Sequence, residues 1–105
     1  MRALDLLEDN KAEIADLCRL FGVRRLRLFG SALTDQWDET RSDLDFLVEY
    51  GPESRKLPPL DRLVGLQLAL EDLLGLRVDV VNMDVARNPY FKKHAELLTQ
   101  ELYAA

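Results

Sequence analysis

Apolar and polar positions along the chain change period several times, and each change marks an element. From residue 3 to residue 21 the apolar positions recur at helical spacing. Leu7, Ile14, Leu17, Cys18 and Phe21 share a stripe, and Gly22 suits the left-handed residue just past a helix end. Val23 to Phe29 alternates instead, with Leu26 and Leu28 on one side and Arg25 and Arg27 on the other, which predicts a strand with one wet face. Gly30-Ser31 then opens a turn or the first turn of a short helix. Asp43 to Glu49 returns to alternation, so Asp43 and Asp45 point one way while Leu44 and Phe46 point the other. Tyr50 to Leu57, with Gly51-Pro52 and a charged run behind it, reads as a surface connection. Pro58-Pro59 starts a second long helix, Asp61 complements its positive end, and Gly75 can end it. Leu60, Leu63, Val64, Leu70 and Leu74 form its apolar face, which Leu66, Leu68 and Leu73 widen beyond the needs of one sheet face, as dense core packing or a partner contact would. Leu76 to Asn82 is a third strand, with Val78, Val80 and Asn82 on one face and Asp79 and Val81 on the other. Asn88-Pro89 caps a last helix to about Leu102, buried through Phe91, Ala95, Leu98 and Leu102.

The order helix-strand-turn-strand-helix-strand-helix specifies an α/β fold: a small mixed β-sheet flanked by helices. With 105 residues, positions 1–105 are expected to form one domain that buries roughly two-thirds of its unfolded surface. No run of about 18 apolar residues offers a membrane span. The acids within the first ten residues leave no signal-peptide block, and Cys18 alone can form no internal disulfide, so a reducing cytoplasm is the expected compartment. Cys18 itself is expected to pack as a small apolar residue. A net charge of −5 argues against bulk nucleic-acid binding, which needs a basic footprint, but does not exclude a nucleotide that arrives with its own cation.

The two strand aspartates carry the chemistry. Asp43 and Asp45, about 7 Å apart at the Cα atoms, would repel by about 2 kcal/mol as bare carboxylates at an effective dielectric near 20. A hard divalent cation such as magnesium is the natural partner for such oxygens. Asp79, in a valine-rich strand, is costly to bury alone and joins the same site if its strand neighbours that of Asp43; a sheet-rim aspartate is the alternative. Gly30 lets the backbone come close to a phosphate, and Ser31 offers either a hydroxyl donor or a plain helix cap. The 32–42 segment is acidic through Asp35, Asp38 and Glu39, and Arg41 is the cation there that could reach a phosphate. Trp37 is placed either on a base or against the short helix. Arg25 and Arg27 are read as a solvated or partner-binding face, with phosphate steering the lesser reading. His94 has no companion ligand and is expected to pack, while Lys92 and Lys93 are expected in solvent.

Together, Gly30-Ser31, Asp43-Leu44-Asp45 and Asp79 within Arg77-Val78-Asp79-Val80-Val81 resemble the nucleotidyltransferase superfamily of the DNA polymerase β type. At this size the chain looks most like the minimal nucleotidyltransferase (MNT) proteins, antitoxin-type partners of HEPN-domain ribonucleases. The resemblance runs over nearly the whole chain, including Asn88-Pro89-Tyr90 and Leu102-Tyr103-Ala104-Ala105. It departs in the 32–42 segment, which is one residue longer than usual and has Ala32-Leu33-Thr34-Asp35-Gln36-Trp37 where the family often has a basic residue and a glycine. The resemblance implies two magnesium ions on Asp43, Asp45 and Asp79, and ATP with its phosphates on Gly30, Ser31 and Arg41. It further implies AMP transfer to a hydroxyl, a tyrosine of a HEPN-type ribonuclease toxin, and a hetero-oligomer with that toxin. A non-catalytic antitoxin acting by stoichiometric binding and a transferase for small hydroxylated molecules such as aminoglycosides stand as alternatives.

Overall fold

The helical pattern over residues 3–21 is realised as two helices, α1 (Ala3–Asp9) and α2 (Lys11–Leu20), where the periodicity alone predicts one. Asn10 makes the break. Its side-chain amide donates to Leu6 O at 2.9 Å and its backbone N–H to Leu7 O at 3.2 Å, so the last turn of α1 tightens and its carbonyls are taken locally. The structure is a computed structural model and describes residues 3–33, 37–38, 43–82 and 99–105, Ser31 by its backbone alone. The expected helix from Asn88 lies outside the described residues up to position 98, as do His94, Lys92, Lys93 and Arg41.

After α2 come β1 (Val23–Phe29), a 3-10 turn (Gly30–Leu33), β2 (Leu44–Tyr50), a second 3-10 turn (Pro52–Lys56), α3 (Pro59–Leu74), β3 (Val78–Asn82) and β4 (Thr99–Ala104). The sheet is mixed, in the order β3-β2-β1-β4: β2 and β4 flank β1 antiparallel, and β3 joins β2 in parallel across the α3 crossover. Residues 99–102 are therefore strand, not the end of a helix. Thr99 and Tyr103 favour strand, and pairing along β1 satisfies backbone groups that an open edge would leave bare.

One face of the sheet carries Leu26, Leu28, Leu44, Phe46, Val48 and Val78, all buried with Ala3 and Leu7 of α1, Ile14 and Cys18 of α2, and Leu66, Leu70 and Leu74 of α3. The α3 stripe is rotated from the expected one. Leu60, Val64 and Leu68 stand 71%, 42% and 59% exposed, and Leu66 takes their place in the core. The helix carries leucines on two stripes, and Gly65 decides between them. A Cβ there would lie 2.8 Å from the Phe21 ring, so only glycine lets α3 press this close to the end of α2. Gly75, at φ 69°, then ends α3 in the left-handed conformation, its N–H donating to Glu71 O.

The opposite face is not wet throughout. Arg27 is buried against its register partner Leu47, and Glu49 collects Arg24 at 3.0 Å and Arg25 and Arg27 at 3.7 Å each. Arg25 also holds Glu101 of β4 at 2.6 Å. Arg25 and Arg27, read as a solvated or partner-binding face, thus join Arg24 in a charge network that ties β1 to both neighbours.

Candidate active site

The site is set by strand register. Leu44 pairs with Val78 and Asp45 with Asp79 across the parallel β2–β3 ladder, and the Leu44 N–H donates to Arg77 O at 2.9 Å, locking the entrances of the two strands together. Register partners in a parallel pair project to the same face. Asp45 and Asp79 therefore leave the sheet side by side, on the face away from the helices, as the alternation predicts. Asp79 is exposed and Asp45 half-buried. Asp43, just before β2, is also half-buried, and its Oδ1 lies 3.0 Å from Nε of Arg77.

The electrostatics agree with this placement. Burial first, then the charges of Asp79 and Asp43, push the Asp45 carboxyl above the usual carboxylate range. Both neighbours thus bear on Asp45 through space. Asp43 Oδ1 is shut off from solvent and accepts no hydrogen bond, even with the Arg77 guanidinium beside it. Such an oxygen has lone-pair capacity left unused.

Gly30 completes the arrangement from the β1 side. Phe29 pairs with Asp45 across the β1–β2 ladder, and Gly30 follows at φ 86°, a left-handed conformation that favours glycine. A Cβ at Gly30 would stand 3.0 Å from Asp45 Oδ2. The missing side chain therefore leaves room directly against the carboxylate. Ser31 continues with its backbone the 3-10 turn that Gly30 begins, and Arg41 lies outside the described residues. Trp37 packs partly buried against the core with its Nε1 enclosed and unbonded, which favours the packing reading over base stacking.

The donor set fits a hard divalent cation: carboxylate oxygens only, mutually repelling, one of them unbonded. Among the described residues, no three His, Cys, Asp or Glu side chains are already drawn to ligand spacing. Asp43, Asp45 and Asp79 could hold such an ion, and the space at Gly30 could admit a phosphate beside it. A cavity of about 310 Å³ elsewhere, between α1, α2 and β4, is lined by Leu4, Leu7, Ile14 and Leu102 together with Glu8, Lys11, Gln100 and Glu101.

Arg77 is the site neighbour that the sequence reading passed over. It lies two residues before Asp79, just ahead of β3, and period-2 counting backwards from Asp79 finds it.

Comparison with known proteins extends this picture. A family model described as nucleotidyltransferase domain matches residues 13–101. A protein of Methanocaldococcus jannaschii, named as a candidate protein adenylyltransferase, is 36% identical over 76 residues, covering 72% of this chain and 72% of its own. A solved structure described as a candidate minimal nucleotidyltransferase superposes with a TM-score of 0.76 at 31% identity, covering 95% of each chain. A chain from the structure of the tri-AMPylated Shewanella oneidensis HEPN toxin in complex with MNT antitoxin superposes at a TM-score of 0.66 and 21% identity, over 94% of this chain and 73% of that one, and so shares the fold.

Proposed function

Given that the chain belongs to the nucleotidyltransferase family and has the minimal nucleotidyltransferase fold, we propose that it transfers AMP from ATP to a hydroxyl of a HEPN-type ribonuclease toxin, a tyrosine, and so silences it. The observation that carries this reading is the pairing of Asp45 with Asp79 beside Gly30 in a chain of this family. The relatives' names support the reaction class, and the fold shared with a chain from an MNT–HEPN complex is consistent with such a partner.

In this reading Asp43, Asp45 and Asp79 hold magnesium. When bound, the metal supplies charge neutralisation to an in-line displacement at the α-phosphorus of ATP. Gly30, lacking a Cβ, lets the donor's phosphates approach the backbone N–H groups of the 3-10 turn, and Ser31 and Arg41 add contacts to them. Asp79, exposed at the sheet surface, faces an incoming acceptor and takes the hydroxyl proton at a carboxylate oxygen. A bond forms from the acceptor oxygen to the α-phosphorus as the bond to the bridging oxygen breaks, and pyrophosphate leaves. No side chain of this protein is covalently modified. Residues 1–105 act as one catalytic domain, with the partner bringing the acceptor. In the chain's described residues no helix is long and apolar enough to cross a membrane, and a cytoplasmic site of action fits the reading.

The test is transfer of label from α-³²P-ATP to a purified helical ribonuclease encoded beside this protein, with intact mass read in steps of one adenylate. Wild type is expected to label it, and Asp43→Asn to label at least about 100-fold more slowly while still forming the complex. A second reading, neutralisation by binding alone, is favoured by the exposed Leu60, Val64 and Leu68 stripe, a ready contact face on α3. Neutralisation that survives both Asp43→Asn and Asp45→Asn would select it.

A further inference from the structure

We propose that the concavity between the end of β2, the second 3-10 turn and the start of α3 binds a phosphate group through Arg55 and Arg62. It lies apart from the carboxylates and does not depend on the reading above. Tyr50 comes five positions after Asp45 along β2, about 16 Å at 3.3 Å per residue. That odd separation puts Tyr50 on the helix-covered face, where it packs against the core.

The cavity has a volume of about 250 Å³ and is lined by Tyr50, Gly51, Pro52, Ser54, Arg55 and Arg62, with two cations and no acid. Arg62 is held there by neutral groups. Its Nη1 donates to Ser54 Oγ at 3.3 Å, and its guanidinium carbon lies 5.9 Å from the centre of the Tyr50 ring. Its backbone carbonyl accepts the Tyr50 hydroxyl at 2.9 Å. Ser54 is buried and donates its own hydroxyl proton to Gly51 O at 2.8 Å, so toward Arg62 it acts as an acceptor. Nε of Arg62 is shut off from solvent with no acceptor. Among the described residues, neither Arg62 nor Arg55 forms an ion pair with a carboxylate.

Two unneutralised guanidiniums in one concavity are unexpected in a chain of net charge −5. The acids nearby in sequence are engaged elsewhere: Glu53 pairs with Lys56 at 2.9 Å, and Glu49 gathers Arg24, Arg25 and Arg27. Arg62 thus keeps its charge for an anion, and Ser54 and Tyr50 have already met the cost of ordering its side chain. A phosphate monoester carries about −1.5 to −2 at pH 7, which two guanidiniums balance, and a guanidinium can meet two of its oxygens at once. A carboxylate needs only one of them. The volume lies just below that of pockets for drug-sized ligands, about 300–1,000 Å³, and suits a phosphate group whose remaining atoms stay at the mouth. Arg55 is exposed on the turn and reaches the anion from the rim, so a phosphate held by both arginines ties the turn to α3.

The test uses the whole chain at low salt in EDTA, so that no divalent cation seats a phosphate at the carboxylates, with inorganic phosphate and AMP as probes. Binding is followed through the ¹H–¹⁵N signals of the arginine Nε–H groups. Wild type is expected to show saturable binding that moves the Arg62 signal, and Arg55→Gln and Arg62→Gln each to weaken it at least about tenfold. Arg55 is exposed, so Arg55→Gln keeps the fold whatever Arg62→Gln does to it. Tighter binding of AMP than of phosphate supports the site and assigns it to an organic ester; equal binding supports it and assigns it to the phosphate group alone. No saturable binding of either probe, an unmoved Arg62 signal, or unaltered affinity in Arg55→Gln overturns the proposal. Acetate binding as tightly as phosphate overturns it too. Asp43→Asn is expected to bind phosphate as wild type does, so failure of transfer and failure of this site are told apart.

Discussion

Asp45 and Asp79 are register partners across the parallel β2–β3 pair, so two carboxylates distant in sequence emerge adjacent on one face of the sheet. Without a cation this is an electrostatic cost to the fold. Asp45 is held above the usual carboxylate range by burial and by its two neighbours, so between the unfolded value and that raised value the folded chain holds a proton that the unfolded chain releases. Across that window the metal-free protein loses stability as pH rises. Asp45→Asn is accordingly expected to be more stable than wild type at pH 7 in EDTA, by about 1 kcal/mol once solvent screening is counted. The difference should vanish below the ordinary carboxylate pKa, and added magnesium should stabilise wild type but not the variant. Urea midpoints at pH 3, 5 and 7 check all three signs.

Three glycines share a positive φ but meet different surroundings, and alanine at each should separate conformation from space. Gly75 has nothing within 4 Å of a built Cβ, so Gly75→Ala should cost only the left-handed penalty, about 1 kcal/mol. Gly22 would place its Cβ 2.3 Å from Ser54 N, a backbone atom, and Gly22→Ala should cost about 3 kcal/mol or more. Gly30→Ala meets the movable Asp45 carboxylate at 3.0 Å. Its stability should fall by about 1–2 kcal/mol, while transfer activity falls at least about tenfold as the carboxylate is pushed aside. Thermal melts and the transfer assay, run on the same preparations, give the ordering.

Cys18 is fully buried on α2, and burial raises its thiol pKa to about 12. The native protein should therefore leave Ellman's reagent almost unreacted at pH 8 and react fully in denaturant. Fast reaction in the native state would contradict the packing described for α2.

Much of this arrangement was legible because strands have a simple period. Alternation alone puts Asp43 and Asp45 on one face and Leu44 and Phe46 on the other, and positions Asp79 opposite Val78 and Val80. Three things were not legible, each for a physical reason. The break at Asn10 depends on one side chain capturing the Leu6 carbonyl, which no hydrophobic period records. The leucines of α3 lie on two stripes, and the choice between them is made by Phe21 entering the space at Gly65, a tertiary contact. Residues 99–104 have too few apolar positions to fix a period, and become β4 because β1 has an edge to pair. Burial of Arg27 was hidden similarly, since alternation identifies its face but not that Glu49 gathers three arginines there.

The most direct measurement is a crystal of the protein soaked with Mn²⁺ and a non-hydrolysable ATP analogue, with anomalous difference density used to find the metal. The account predicts a peak within about 2.5 Å of carboxylate oxygens of Asp43, Asp45 and Asp79, with the analogue's phosphates against Gly30. Metal bound elsewhere, or a nucleotide seated away from Gly30 with the three carboxylates bare, would contradict it.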